Sequence, residues 1–546
     1  DDNYNLSDIT FKLSKDKINF EETEIKLNQS GQYDVEYTSD SDKGSITAEY
    51  ETSKFKKVIG ETDFERLQRY IDEANNGDVI DLYENFAYQP GDKEITISDK
   101  KQLTIDGHGY TIDAKNQCSI IYTFYSDNLV LKNITFANAK SSSNGAAIRS
   151  YSNMNITNCT FVNGTSTSSG GFIWFAVKSN VIHCTFINGT STFDDYWDGG
   201  SGAIHLGKWS DSTTSAGSTI SNSTFINCTA IRGGAIRANY KASISNCTFI
   251  NGKATDGGGI HMNGKDSIIF NCTFINGTAG WGGGAIYSSV AHSVIKCTFI
   301  NNQAPDHIGG AIQGYTKNMY ICNSTFINNT SPEGGAVWNN NDNLTIINST
   351  FINNTAVLAA CISSDGNESI ISGSTFSGNE AQVAAAVYSQ GDGLSIGNGT
   401  EFTNNTATVI GSTIMSDGDG VVIDNVTIEG NTAPTAAIVL NGEKAQISQA
   451  TVKNNVATEG GGSIIAVNGN NAEITGTTLT QNTGKGIQSN GNTTQIKDNT
   501  IANNTETSVE INGENSTIGN NEISGTKGDA VVINGKNTTA TTNNIS

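Results

Sequence analysis

One property limits the folds open to this chain more than any other: it rewrites one short segment about every 25 residues. "NCTFING" stands at 246–252 and 271–277, "HCTFING" at 183–189, and "GGAI" at 233–236, 283–286 and 309–312. An apolar anchor, mostly the Phe of "CTF" or "STF", marks each copy. The anchors are Phe136, Phe161, Phe186, Phe225, Phe249, Phe274, Phe299, Phe326, Phe351, Phe376, Phe402, Ile428, Val452, Leu479, Ile501 and Ile523. Their gaps run from 22 to 27 residues, apart from one of 39. No single copy holds enough apolar residues to bury a core. Stacked copies do, because equivalent residues line up into ladders.

A period of this length fits leucine-rich repeats or a β-solenoid. Leu is scarce and the LxxLxLxxN pattern is missing. After residue 77 no segment keeps a 3.6-residue period. Short alternating stretches such as "AIYSS" and "LTIINSTF" are joined by Gly and Asn turns, as strands are. The expectation is an all-β, right-handed parallel β-helix. About 18 coils at about 4.8 Å each give a rod of roughly 85–90 Å. The Phe anchors form an inward ladder. Asn two residues later forms another, and stacked amides hydrogen-bond along the rod. The "GG" pairs permit a tight bend.

The first 60 residues differ and suggest a small β segment. "TDFERLQRYIDEANNGD" follows, with Thr62 and Glu65 as a capping box and Phe64, Leu67, Ile71 and Ala74 on one face. Gly77 is the expected C-cap. This predicts a lid helix within 61–78, then the β-helix over 79–546 with a loop insertion at 190–218. "VIDLYE", "ITIS" and "LTIDGHGYTIDA" read as the opening coils. The segment "NTTATTNNIS" carries no comparable lid, so further domains beyond residue 546 or another subunit are expected there.

Composition excludes several function classes. With 32 basic against 54 acidic side chains, the net charge is −22, which opposes phosphate-backbone and anionic-lipid binding. No run of 18 apolar residues exists, so no membrane span is expected. Sequons such as Asn133, Asn155, Asn246, Asn271 and Asn348 permit surface glycosylation.

The chain resembles the adhesin-like surface proteins of methanogenic archaea. The resemblance rests on "LTIDG-GYTIDA" at 103–114, "NCTFIN" at 246–251 and "GGAI" at 283–286, with their copies. It is also similar to the GGA(I/V) and FxxN repeats of chlamydial polymorphic outer-membrane proteins, at 326–329 and 334–337. The resemblance covers about residues 60–546. It implies a secreted cell-surface protein that mediates attachment. After about residue 405 the Phe and GGAI signatures fade while the period persists.

Candidate chemistry is sparse. Cys159, Cys184, Cys247, Cys272 and Cys297 sit two residues before an anchor Phe and share its inward face. The expectation is buried reduced thiols, with one or more disulfides between coils as the alternative; reduced thiols fit the anoxic habitat that the resemblance suggests. No His or Cys cluster has metal-ligand spacing along the chain, so no metal and no cofactor are expected. The tripeptide "GHG" at 107–109 lacks the NTD and RIK partners of polygalacturonase-like enzymes, and "SDGDG" with Asp417 and Asp419 reads as a solvated turn.

The residue after each inward Ile alternates outward. Up the rod this gives Arg149, Trp174, His205, Arg237, His261, Tyr287, Gln313 and Trp338, then Ser363, Tyr388 and Met415. These read as a solvent-facing track. The insertion adds Tyr196, Trp197 and Trp209 among Asp194, Asp195, Asp198 and Asp211, a composition suited to carbohydrate. The candidate ligand-binding set is therefore Arg149, Trp174, Tyr196, Trp197, His205, Trp209, Arg237, His261, Tyr287 and Trp338. The functional expectation is a non-catalytic extracellular adhesin binding glycans or proteins of another cell, or its own cell wall. The alternatives are a polysaccharide lyase or hydrolase and a purely structural envelope rod.

Overall fold

In a computed structural model the chain winds as the repeat requires. The structure describes residues 60–195, 199–207 and 217–546, with strand segments at 4–5, 24–25, 31–39 and 42–50. Gly31–Ser39 and Asp42–Tyr50 form an antiparallel hairpin. From residue 79 onward, each coil contributes strands to three parallel sheets. Sheet B starts at Val79–Asp81, sheet C at Phe86–Ala87 and sheet A at Ile95–Ser98. Sheet A holds 18 strands and sheets B and C 19 each. The coils wind right-handed, as connections between parallel strands do.

All sixteen anchors lie on sheet C in unbroken register, from Phe136↔Phe161 to Ile501↔Ile523. From Phe161 to Phe402 consecutive rings stack 4.6–5.0 Å apart and 2–7° from parallel. The five ladder cysteines are buried beside them, and all nine cysteines of the chain are free thiols.

Two asparagine ladders flank this core, of which the sequence reading identified one. After sheet C, residues such as Asn163, Asn188, Asn227 and Asn276 turn the chain at φ values of 53–57°. Asn accepts this left-handed conformation more readily than other non-glycine residues. Each of these side-chain amides donates to the preceding coil, and Asn138 ends the series on the Asp113 carboxylate at 2.9 Å. The second ladder, absent from the sequence reading, stands one residue later and faces inward. Asn302, Asn329, Asn354, Asn379, Asn405, Asn431, Asn455, Asn482 and Asn504 are fully buried. From Asn302 to Asn482 each donates to the following coil, opposite in direction to the outer ladder. Earlier coils place glycine there, except for Ala139 and Cys228: a Cβ on Gly277 would lie 2.2 Å from the Gly284 carbonyl oxygen. The "GG" bends follow the same logic. Gly233 takes φ +69°, and a Cβ on Gly234 would meet the Gly258 oxygen at 2.0 Å.

The helix spans Asp63–Glu73 with the expected capping box, but its C-cap is Ala74 rather than Gly77. Gly77 instead serves the turn into the first coil, at φ +84°. The helix buries Phe64, Leu67, Tyr70 and Ile71 against that coil. It also replaces a missing coil's hydrogen bonds. The Gln68 amide exchanges two bonds with the Thr96 backbone, at 3.0 and 2.7 Å, and Asp63 accepts from the Ala87 N–H at 2.9 Å. Strand edges of sheets A and C are thereby closed. Among the described residues no helix is long and apolar enough to cross a membrane.

Candidate binding face on sheet A

The outward track has the register read from the sequence. Tyr122, Arg149, Trp174, His205, Arg237, His261, Tyr287, Gln313, Trp338, Ser363, Tyr388 and Met415 are successive partners on sheet A. The expectation that all of them face solvent is wrong. Trp174, His205, Arg237, His261 and Trp338 are 0–6% exposed. Arg149 and Tyr287 are only half-buried. Alternation gives the direction of a side chain but not what lies over it.

Two walls cover the track. One is the residue before each glycine pair or, at Leu358, before Ala359 and Ala360: Arg232, Asp256, Gly282, Ile308, Glu333 and Leu358 bridge one another coil by coil. The other is the turn two residues past the track, with Tyr151, Asn239, Tyr315, Asp365 and Asp417. Both positions recur in the sequence at fixed offsets, so the signal for them was present.

At the centre the walls close over a polar network. Arg232 donates to His261 Nε2 at 2.9 Å and pairs with Asp256 at 3.4 Å. Arg237 donates to the Asn239 side-chain oxygen at 3.1 Å and to the Gly199 carbonyl at the root of the insertion. The Asn239 amide then donates to His205 Nε2 at 3.0 Å. Guanidinium and amide nitrogens only donate, so both imidazoles accept at Nε2 and carry their proton on Nδ1. Burial, then Arg237, pushes His205 down to about 3, and the same causes hold His261 well below its ordinary value. Both rings are neutral at physiological pH. Their Nδ1 atoms, Asp256 Oδ1 and Gln313 Oε1 are buried without a hydrogen-bond partner.

On either side of this closed centre the face opens. Towards the N-terminal end, Tyr151 packs edge-on against Trp174 and Tyr122, with the Arg149 guanidinium 4.0 Å from the Tyr122 ring centre. Towards the C-terminal end, Tyr287 stacks on His261 at 4.7 Å, then Tyr315 and Trp338 follow at 5.9 and 5.1 Å. Glu333 accepts from Trp338 Nε1 at 3.2 Å and Ser363 Oγ at 2.7 Å. Asp417 accepts from the Tyr388 hydroxyl at 2.7 Å. Burial, then the neighbouring Glu333 charge, raises Asp365 to about 6. This stretch offers half-buried aromatic rings on the floor and carboxylates on the walls.

Tyr196, Trp197 and Trp209 lie outside the described residues, as do Asp198 and Asp211. Asp419 accepts from the Glu443 N–H in the turn expected of it.

A rod of three parallel sheets with one walled outer face defines a class of protein. The family model "Right handed beta helix region" matches residues 212–376 and 360–546, more than half of the 546-residue chain, and the chain belongs to that family. No curated protein matches it. Among solved structures it is similar to the PL6 family alginate lyase AlyGC, at 11% identity over 89% of this chain and 99% of that one, with a TM-score of 0.27. Tailspike protein 3 of bacteriophage CBA120 matches at 10% identity over 93% of this chain and 65% of that one, with a TM-score of 0.26. A tailspike mutant of E. coli bacteriophage HK620 matches at 13% identity over 93% and 84%, with a TM-score of 0.27. Likeness at this level concerns architecture alone. It does correct one expectation: the exclusion of catalysis from missing motifs does not stand, because structures of this architecture include alginate lyases, which are enzymes.

Proposed function

We propose that this chain is an extracellular surface protein of the adhesin class that holds glycans of another cell or of its own envelope along sheet A. The observation that carries the reading is the open stretch from Tyr287 to Asp417. Tyr287, Tyr315 and Trp338 stand on three successive coils and Tyr388 two coils further on, between carboxylates that accept hydroxyl hydrogens. The residues proposed for contact are Tyr287, Tyr315, Tyr388, Glu333 and Asp417. Trp338, on the same track, is buried and packs edge-on against Tyr315. Tyr196, Trp197 and Trp209 are proposed as part of the same surface on their sequence alone. A glycan array tests the reading. A defined set of bound glycans, weakened by replacing Trp197 and Trp209 with Ala, is the expected result. An array with no bound glycan would refute it.

A second reading, cleavage of a bound polysaccharide, is favoured by one observation. Asp365 retains its proton up to about pH 6 beside Glu333, a pairing suited to acid–base work. A panel of polysaccharides tested for new reducing ends or unsaturated products decides it. Products that vanish with Asp365→Asn would establish cleavage at this pair, and an inert panel would dismiss it.

A further inference from the structure

The second candidate lies on the opening coils of sheet B, away from the sheet A face. Asp81 and Asp106 are register partners there, on consecutive coils about 4.8 Å apart. Ile80 and Ile105 point inward beside them and are fully buried, so the two carboxylates share the outward side. Like charges in direct register repel. The next rung is Lys132, whose ammonium lies 2.8 Å from Asp106 Oδ2. It supplies one positive charge for two carboxylates.

The turn at 107–109 places an imidazole over this pair. His108 takes φ +47°, and Gly109 follows at φ +92°. Gly107 lies so close to the next coil that a Cβ would be 2.4 Å from the Asn133 oxygen. The turn thereby folds His108 back, with Nε2 2.8 Å from Asp81 Oδ1 and Nδ1 3.9 Å from Asp106 Oδ1. One ligand atom from each of the three residues lies within 4.8 Å of the others. Tyr83 stacks on the His108 ring, 6.3 Å between centres.

Asp106 accepts hydrogen bonds from Lys132 Nζ at 2.8 Å, the Asn133 side-chain amide at 2.8 Å and the His108 backbone N–H at 3.1 Å. Those bonds orient it as outer-shell partners orient a metal ligand. One side stays open. A depression lined by His108, Gly109, Asn133, Thr135, Asn158 and Thr160 adjoins the trio on its His108 side and has room for water or a hydroxylated ligand.

We propose that Asp81, Asp106 and His108 bind a divalent transition-metal ion of the Zn²⁺ class, with one coordination position open to the depression. One nitrogen and two oxygens suit such an ion, whereas Ca²⁺ and Mg²⁺ favour oxygen alone. Spacing along the chain concealed the site. Asp81 and Asp106 stand 25 residues apart in sequence and meet only because the coils stack.

Lys132 gives the test its sign. It competes with the ion for Asp106, so Lys132→Gln should strengthen binding while ligand variants weaken it. The experiment is calorimetric titration of the untagged full chain with ZnCl₂. His108→Asn preserves a turn that Asn tolerates, and Asp81→Asn preserves shape. Each should weaken the site about tenfold or more, and Lys132→Gln should tighten it several-fold. Circular dichroism confirms that each variant folds. No saturable Zn²⁺ binding by the wild-type chain would overturn the proposal. So would wild-type affinity in His108→Asn, which would assign the ion to other ligands such as the thiols.

Discussion

Asn354 shows how a single residue carries the repeat. Its side-chain oxygen accepts from both the backbone and the side-chain amide of Asn329, and its own amide donates to the Phe326 carbonyl. None of these groups reaches water. Asn354→Ala leaves them unmatched, at about 1–3 kcal/mol for each group stranded. Asn276→Gly on the exposed outer ladder should cost less than about 1 kcal/mol, because water replaces the lost bond and glycine keeps the left-handed turn. Denaturation midpoints of the two variants check the contrast. Half-buried Asp365 and buried His205 also give stability opposing dependences on pH. Asp365 is raised to about 6 in the folded chain, so between its ordinary value and 6 the native state binds more protons than the unfolded one. Its contribution is present at low pH and is lost as pH rises through 6. His205 is lowered to about 3 from 6.5, so its contribution is present above 6.5 and is lost as pH falls towards 3. Asp365→Asn should therefore stabilise the protein at pH 8 more than at pH 4, and His205→Gln should flatten the acid limb. Melting temperatures across that range read both signs.

At the scale of elements, the thiol ladder and the lid helix make separate statements. Seven cysteines are buried, whereas Cys118 and Cys322 are partly accessible. Burial, then Asp92 and Glu94, pushes the Cys118 thiol up to about 12, leaving little thiolate to react. In native conditions a thiol reagent should label Cys322 first, Cys118 slowly, and the other seven only after denaturation. Mass spectrometry of labelled peptides checks the order. Early labelling of Cys247 or Cys272 would contradict the burial. The helix guards an edge rather than a ligand. Gln68→Ala removes both bonds to the strand Ile95–Ser98 and re-exposes that backbone. The expected outcome is a higher tendency to pair end to end, read as concentration-dependent mass in light scattering.

At the scale of the whole molecule, the rod was legible because its information is periodic. Phe136 to Ile523 gave the coil boundaries, and their register in sheet C followed without a slip. The inner Asn ladder was missed because "NN" doublets read as one turn signal, although the first Asn faces out and the second in. The binding face was half legible. Alternation placed Trp174, His205, Arg237, His261 and Trp338 on the right side of sheet A, but their burial depends on walls built by other positions. The Asp81, Asp106 and His108 trio was illegible for a related reason, since only stacking makes neighbours of distant coils.

Glycan recognition is assigned to the open stretch of sheet A. Calorimetric titration of the full chain with a glycan from the array tests that assignment. Tyr315→Ala combined with Tyr388→Ala should weaken binding by about tenfold or more while leaving the melting temperature near that of the parent. Unchanged affinity in a folded double variant would rule out this stretch as the binding surface.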